Sequence, residues 1–222
     1  CVDPNDIPAV AIVDPELMYS MPKGLTAATG MDALTHAIES YITPGAWVMS
    51  DMFELKAIEM IAQNLKAAVD NGKDVAAREA MSQAQYIAGM GFSNVGLGIV
   101  HSMAHPLGAF YDTPHGVANA LLLPYVMEYN AESPAAPKYI HIAKAMGVDT
   151  TGMSEAEGVK AAVEAVKALS ASINIPQKLH EINVKEEDIP ALAVAAFNDV
   201  CTGGNPRPTS VADIEALYRK AF

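Results

Sequence analysis

Residues 50–72 read SDMFELKAIEMIAQNLKAAVDNG, and this stretch carries the clearest helical pattern in the chain. Ser50 is suited to cap the start of a helix with Asp51 in its first turn, and Asn71-Gly72 is suited to end it. Between these ends, apolar residues recur every three or four positions, as on the buried side of a helix. They are Met52, Leu55, Ile58, Ile61, Ala62, Leu65 and Val69. The stretch therefore predicts one helix of a larger helical domain.

A second helix is predicted where Ser154-x-x-Glu157 forms a capping-box pattern, and it should end before Pro176. Its inward positions are Val159, Val163, Val166 and Leu169. A third helix, from Pro190 to Val200, follows Asp188 and is broken by Gly203-Gly204. The last begins at Ser210-x-x-Asp213 and turns Val211, Ile214, Leu217 and Tyr218 inward.

One segment near the start has a different character. Residues 10–13 read VAIV between Pro8 and Asp14-Pro15, which predicts a short buried strand. A single strand cannot satisfy its own backbone hydrogen bonds, so it should belong to a sheet that is otherwise absent from this sequence. We therefore expect a mainly α fold with a residual β-strand, and we expect the chain to be a piece of a longer protein.

The charge balance excludes two classes of partner. The chain of 222 residues has 14 Lys and Arg against 26 Asp and Glu, a net charge of −12. This argues against binding to nucleic acid or to an anionic membrane surface. The two cysteines lie too far apart in sequence to suggest a disulfide framework, and Cys1-Val2-Asp3-Pro4 is no secretory signal. A cytoplasmic protein without a membrane span is the expectation.

The first candidate for chemistry is the pair Asp32 and His36, four residues apart. On a helix this spacing places both side chains on one face, where a carboxylate and an imidazole are ready ligands for a divalent metal. A surface ion pair, or a histidine that supports the core, is the alternative.

A second cluster contains three imidazoles within fifteen residues: His101, His105 and His115. Small residues surround them, which lets backbone, metal and substrate approach closely. A histidine-rich surface loop is the alternative, and spacing alone does not decide which of the three would join Asp32 and His36. Four protein ligands with an open position suit a catalytic site better than five.

Three other features are weaker. The run Gly203-Gly204-Asn205-Pro206 predicts a turn rather than a phosphate cradle. Cys201, just before it, is either a reactive thiol or a buried one. Phe92, beside a glycine-rich stretch, would either flank a planar ligand or belong to the core.

Two long patterns resemble the signatures of the iron-containing (group III) alcohol dehydrogenase family. The first runs from Ala11 to Glu39 and the second from Gly98 to Ala118. The first is matched at Pro22, Ala27, Gly30, Asp32, Ala33, Leu34 and Glu39, and the second at His101, His105, Gly108, His115 and Gly116. Both occur in the order that the family requires.

The resemblance implies the dehydroquinate synthase-like fold, in which a Rossmann-like nucleotide domain precedes an all-helical metal domain. Residues 1–20 would be the end of the nucleotide domain and a linker, and residues 21–222 the helical domain. The implied metal ligands are Asp32, His36, His101 and His115. His105 would lie near nicotinamide and substrate, where it is the candidate proton relay; Phe92 and Cys201 would line that cleft, and Leu17 would contact the nucleotide.

The implied activity is an NAD(P)-dependent alcohol dehydrogenase or aldehyde reductase. It would use Fe²⁺, with Zn²⁺ as a possible substitute, on a small alcohol or aldehyde, and the family leads us to expect a homodimer. The glycine-rich pyrophosphate loop of the family is missing, so this chain alone should be inactive without its N-terminal nucleotide-binding domain. A metal-dependent hydrolase on a helical scaffold and a non-enzymatic module with a structural metal are the alternatives.

Overall fold

The computed structural model describes residue 5 and residues 8–222, and the regular secondary structure of this part of the chain is entirely helical. The α-helices are α1 (Lys23–Ile42), α2 (Val48–Asp70), α3 (Val75–Val95), α4 (Ile99–Tyr111), α5 (His115–Asn130), α6 (Tyr139–Ala145), α7 (Glu155–Ser172), α8 (Ile189–Phe197) and α9 (Val211–Ala221). Short 3-10 helices lie at Pro15–Met18, Ala136–Lys138, Leu179–Ile182, Glu186–Asp188 and Val200–Gly204. Within the described residues, none of these helices combines the length and the hydrophobicity that crossing a bilayer requires.

Helix α1 lies at the centre of the bundle and packs against α2, α3 and α5, while α4 packs against α5 and α8. Small residues make this close packing possible. A Cβ on Gly30 of α1 would lie 2.2 Å from Leu65 of α2, and a Cβ on Gly116 of α5 would lie 2.4 Å from the carbonyl oxygen of Ala28. Helix α1 therefore contacts two neighbours through glycine positions, and its own residues face the interior on most sides.

The predicted strand at residues 10–13 is not formed, and the described residues contain no strand at all. Val10 and Ile12 are exposed instead. The apolar run was a reasonable strand signal, but a strand forms only where a neighbour accepts its backbone hydrogen bonds, and no partner strand is present here. The correct description of the fold class is an all-helical domain.

Two helix boundaries also differ from the sequence prediction. Helix α2 begins at Val48, and Ser50 lies in its first turn, where its hydroxyl oxygen accepts the Trp47 backbone N–H at 2.9 Å. Met52 is exposed. Helix α8 ends at Phe197 and is followed by a separate 3-10 helix, so the predicted helix to Val200 was too long.

The capping boxes at Ser154 and Ser210 are formed as predicted, and helices α7 and α9 begin immediately after them. Val163 and Val166 of α7 are buried, as are Ile214, Leu217 and Tyr218 of α9. These helices were predictable because the signal is local: serine and acidic residue satisfy each other's backbone N–H groups within one turn.

The buried side of α2 contains a carboxyl group that the hydrophobic pattern does not anticipate. Glu54 is 0% exposed, whereas Met52, which the pattern assigned to the buried side, is exposed. Neither carboxyl oxygen has a hydrogen-bond partner among the described residues. Burial raises the pKa of Glu54 to about 8, and Ser40 opposes this shift only in part, because its hydroxyl proton is donated to the carbonyl oxygen of His36.

The protonated Glu54 predicts an unusual dependence of stability on pH. The folded-state pKa lies above the unfolded value, so the folded chain holds an extra proton between about pH 4.5 and pH 8. The free energy of unfolding should therefore fall as pH rises through this window, by on the order of 3–5 kcal/mol. Urea unfolding at several pH values should show this slope in the wild type and a much flatter one in Glu54→Gln. Parallel curves for the two proteins would show that Glu54 is not protonated in the fold.

Candidate metal centre

Helices α1, α4 and α5 bring four of the predicted site residues together. Asp32 and His36 lie one turn apart on α1, His101 lies in the first turn of α4, and His115 is the first residue of α5. His101 is fully enclosed at 1% exposure, whereas His115 is exposed. The site is therefore closed on its inner side and open on its outer side.

The side-chain atoms of these residues converge. The Nε2 atoms of His36 and His101 are 3.1 Å apart, and Oδ1 of Asp32 lies 3.5 Å from Nε2 of His115 and 4.0 Å from Nε2 of His101. Single donor atoms of Asp32, His101 and His115 all lie within 4.8 Å of one another. His36 is not part of that mutual group and joins it through its contact with His101.

Hydrogen bonds on the far side of two rings determine which nitrogen carries the proton. His36 Nδ1 donates to the carbonyl oxygen of Asp32 at 2.8 Å, and His101 Nδ1 donates to the Glu39 carboxylate at 2.6 Å. Each neutral ring then has a bare lone pair on Nε2. The two lone pairs face each other at 3.1 Å without a proton between them, which is an unfavourable arrangement unless a cation lies there.

The protonation equilibria support neutral rings. Burial, and next the neighbouring His101, lower the pKa of His36 to about 4, although Asp32 acts in the opposite direction. Burial also lowers the pKa of His115. Neutral imidazole is the form that binds a metal ion, so both rings are ready to do so at neutral pH.

Glu39 is the residue that positions His101. It is 2% exposed, and while Oε2 accepts from His101, Oε1 accepts the backbone N–H of Val100 at 2.7 Å. A Cβ on Gly98 would lie 2.8 Å from Oε1 of Glu39, so only glycine leaves room for this carboxylate. The signature pattern contains Glu39, but its role follows only from the fold.

Asn119, a fully buried residue of α5, also contacts the cluster, although it is not among the predicted site residues. Its amide nitrogen donates to Oδ1 of Asp32 at 2.6 Å and lies 3.0 Å from Nε2 of His115. The amide thus directs its two N–H groups at Oδ1 of Asp32 and Nε2 of His115, and both atoms accept. Nε2 of His115 therefore carries a lone pair, the third imidazole lone pair that is directed inward. The available signal was weak: a single polar residue inside the apolar run 117–127.

The donor set fits a divalent transition metal ion. Three imidazole lone pairs and one carboxylate converge, and the second nitrogen of two rings is held by a hydrogen bond, as in many protein metal sites. Such an ion acts as a Lewis acid toward an oxygen ligand, and either a dehydrogenase or a hydrolase could use it.

His105 lies beside this cluster with different partners. Its ring is parallel to that of His115, with centroids 5.4 Å apart, and its Nδ1 donates to Oδ2 of Asp199 at 2.7 Å. Asp199 was not predicted as a partner of His105, because the two residues are far apart along the chain. The other oxygen of Asp199 accepts the backbone N–H of Cys201 at 2.9 Å.

The surroundings shift the pKa values of Asp199 and Cys201 in opposite directions. Burial alone would raise the pKa of Asp199, but hydrogen bonds from Cys201 and His105 hold the pKa below its usual value. Burial, and next the charge of Asp199, raise the pKa of the Cys201 thiol to about 12. Cys201 is therefore a half-buried neutral thiol rather than a reactive thiolate.

Phe92 and Leu17 have different surroundings. The ring of Phe92 packs on that of His36, with centroids 4.4 Å apart. Leu17 is 80% exposed in the short 3-10 helix Pro15–Met18 and does not reach the cluster. A cavity of about 410 Å³ begins at Asp32, His36 and Phe92 and continues between α1 and α3. Its remaining lining is mainly apolar, including Met18, Met21, Ala33, Met81 and Ala88.

Comparison with known proteins assigns the family. The model of the Fe-containing alcohol dehydrogenase family, C-terminal, matches residues 26–222. The chain belongs to the Fe-containing alcohol dehydrogenase family.

Individual relatives of this family agree along the whole chain. Lactaldehyde reductase from Escherichia coli (strain K12) is 60% identical over 222 residues, which are 100% of this chain and 57% of that protein. The 1,3-propanediol dehydrogenase of Klebsiella pneumoniae is 47% identical over 218 residues, 98% of this chain and 56% of that protein. The chain therefore spans a little over half the length of these relatives.

Solved structures of the family share the fold. The crystal structure of a 1,3-propanediol oxidoreductase superimposes with a TM-score of 0.95 at 47% identity, covering 97% of this chain and 56% of that one. The structure of an alcohol dehydrogenase from Oenococcus oeni superimposes with a TM-score of 0.92 at 41% identity, and the match covers 94% of this chain and 54% of that one. These relatives are named dehydrogenases, reductases or oxidoreductases.

The contact between α1 and α5 yields a prediction about stability. Gly116→Ala should destabilise the fold by about 1–3 kcal/mol, because the new methyl group meets a backbone oxygen that cannot move aside. Gly24→Ala in α1 is the matched control: nothing lies within 4 Å of its Cβ, so it should be neutral or stabilise by up to about 1 kcal/mol. Urea unfolding measures both variants. Equal midpoints would show that the helices are not in contact at Gly116.

Proposed function

We propose that this chain is the metal-binding, C-terminal part of an iron-dependent, NAD(P)-dependent alcohol dehydrogenase that reduces aldehydes in the reverse direction. The observation that carries the proposal is the pair of facing Nε2 lone pairs of His36 and His101 beside the Asp32 carboxylate. The ligands are Asp32, His36, His101 and His115. Identity to lactaldehyde reductase supports lactaldehyde and 1,2-propanediol as the substrate pair.

The domain organisation is part of the same proposal. Residues 1–20 are the end of a nucleotide-binding domain and a linker, and residues 21–222 are the helical domain. The missing N-terminal domain would cover the open side of the site, where His105 and His115 are exposed, and Leu17 would contact its nucleotide. The relatives, which are longer by almost half of their length, support this arrangement. We further propose a cytoplasmic homodimer in which Zn²⁺ can replace Fe²⁺.

The chain's own residues have separable roles in the reaction. When bound, the metal ion would act as a Lewis acid that polarises the oxygen of the alcohol or aldehyde. Glu39 and the carbonyl oxygen of Asp32 keep the two inner rings in the correct tautomer. Phe92 supports the ring of His36 and, with Cys201, would flank the nicotinamide that exchanges hydride with the substrate.

His105 is the proposed proton relay. Asp199 holds its Nδ1, so Nε2 is the nitrogen that can exchange a proton with the substrate oxygen or with solvent. The apolar cavity next to Asp32 and His36 has room for the carbon chain of a small alcohol. Binding there would exclude water from the side of the cluster that faces α3.

Variants of the complete, Fe²⁺-loaded enzyme, prepared without oxygen, should distinguish the metal ligands from the proton relay by their iron content and turnover. Asp32→Ala and His115→Ala should lose both bound iron and NADH-dependent reduction of lactaldehyde. His105→Ala should keep its iron but lose about 10²–10⁴-fold in turnover, the range typical of a general acid–base group. Elemental analysis and steady-state kinetics measure the two quantities. Loss of iron in His105→Ala would show that His105 is a ligand, and an active, iron-free wild type would overturn the proposed function.

Glu39 should act on metal affinity through His101. Glu39→Gln keeps the size of the side chain but weakens the hydrogen bond to Nδ1, so metal affinity should fall by about 10–100-fold. Equilibrium dialysis against Fe²⁺ measures this change. Gln85→Glu, at an exposed position in the cavity wall, is a control that should bind Fe²⁺ as the wild type does. Unchanged affinity in Glu39→Gln would show that the Glu39 contact does not support the site.

A further inference from the structure

A second group of metal-ligating side chains lies next to the proposed iron site. Among the described residues, two groups of three or more His, Cys, Asp or Glu side chains bring single donor atoms within 4.8 Å of one another. The first contains Asp32, His101 and His115, and the second consists of His105, Asp199 and Cys201. The two groups share no residue, and they meet where the ring of His105 lies parallel to that of His115 and edge-on to that of His101.

The segment that carries Asp199 and Cys201 is held rigidly against α4. The side chain of Asp199 caps the 3-10 helix Val200–Gly204, and the Thr202 hydroxyl lies 2.8 Å from both the Ser102 hydroxyl and the carbonyl oxygen of Ala196. A Cβ on Gly204 would lie 2.0 Å from the carbonyl oxygen of Leu97, so the turn lies directly on the α3–α4 connection. The three donor groups are therefore positioned by the fold before any ligand arrives.

The three side chains indicate which class of cation the group would bind. A thiol, an imidazole and a carboxylate provide three protein ligands and leave the exposed His105 side open for a fourth, as in open zinc sites. Thiolate sulfur favours Zn²⁺ and similar soft or borderline ions over Mg²⁺ and Ca²⁺, and Fe²⁺ binds such sites less tightly than Zn²⁺. The Asp/His₃ group has no sulfur, so the two groups differ in what they select.

We propose that His105, Asp199 and Cys201 form a second cation site that takes Zn²⁺. The hydrogen bond between His105 Nδ1 and Asp199 Oδ2, now 2.7 Å, would open to about 3.3 Å, the separation of two ligands on a tetrahedral zinc ion. The cation takes the place of the proton on His105 Nδ1, which moves to Nε2 or to solvent, and the Cys201 thiol releases its proton to solvent as the zinc–sulfur bond forms.

Occupation of this site has a functional consequence that rests on the proposed function. A bound Zn²⁺ would engage both the proton relay and the thiol that flanks the nicotinamide. Excess Zn²⁺ should therefore inhibit the iron-loaded enzyme, and removal of Zn²⁺ by a chelator that leaves the iron in place should restore activity.

The direct test uses Co²⁺ alone as the probe, added to the complete protein after removal of metals. Cobalt bound to a thiolate shows a near-ultraviolet charge-transfer absorption that Asp and His ligands do not produce. We expect this absorption in the wild type, in Cys1→Ser and in Asp32→Asn, and its loss in Cys201→Ser. Asp199→Asn should weaken Co²⁺ binding at this site at least tenfold. Titration with Zn²⁺ should abolish the absorption.

A second measurement needs no variant that might fail to fold. X-ray absorption of the wild type with two equivalents of Zn²⁺ should show sulfur at about 2.3 Å from zinc. A cobalt spectrum without the charge-transfer absorption, a spectrum unchanged in a folded Cys201→Ser, or zinc without a sulfur neighbour would each overturn the proposal. An enzyme that is active with iron alone but never shows the absorption when Co²⁺ is added refutes the second site alone. An enzyme that shows the absorption with Co²⁺ but is already inactive with iron alone, before any Co²⁺ is added, refutes the proposed function alone.

Discussion

The candidate metal centre depends on the hydrogen bond from His101 to Glu39. A buried carboxylate that accepts from Nδ1 leaves Nε2 as the only free nitrogen of the ring and directs it at His36. Because the same carboxylate accepts the backbone N–H of Val100, it fixes the start of α4 as well as the ring. One side chain of α1 therefore determines both the position of the helix that carries His101 and the chemical state of its imidazole.

The site also requires that the neighbouring helices approach α1 closely. Glycine at residues 30 and 116 lets α2 and α5 come near enough for Asp32 to reach the side chains of α5. Glu54 shows the opposite case, since it is a carboxyl group enclosed without a partner between helices. The core thus contains one acidic group that is fully satisfied, Glu39, and one that avoids charge by keeping its proton.

Local signals were sufficient to predict much of the helical structure. The capping boxes at Ser154 and Ser210 are contained within four residues, so the sequence shows them directly. The predicted start of α2 at Ser50 was wrong because a serine in the first turn that is hydrogen-bonded to Trp47 looks the same in sequence as a serine cap. The strand at residues 10–13 failed because strand formation depends on a partner that a local pattern cannot reveal.

The site was predictable only in part, because its decisive contacts join distant residues. Spacing placed Asp32 and His36 on one face but left His101, His105 and His115 equivalent. Family resemblance selected among them, and the structure distinguishes them by their partners, since His101 is bonded to Glu39 and His105 to Asp199.

Gly98 lies against two parts of the structure, and Glu39 is only one of them. A Cβ there would lie 2.8 Å from Oε1 of Glu39 and 3.2 Å from Oδ1 of Asn205, so this single residue separates the support of His101 from the turn that ends at Gly204. Any movement of this turn toward Gly98 would therefore press on the carboxylate that holds His101, so the position of the turn and the orientation of that ring are mechanically coupled through one glycine.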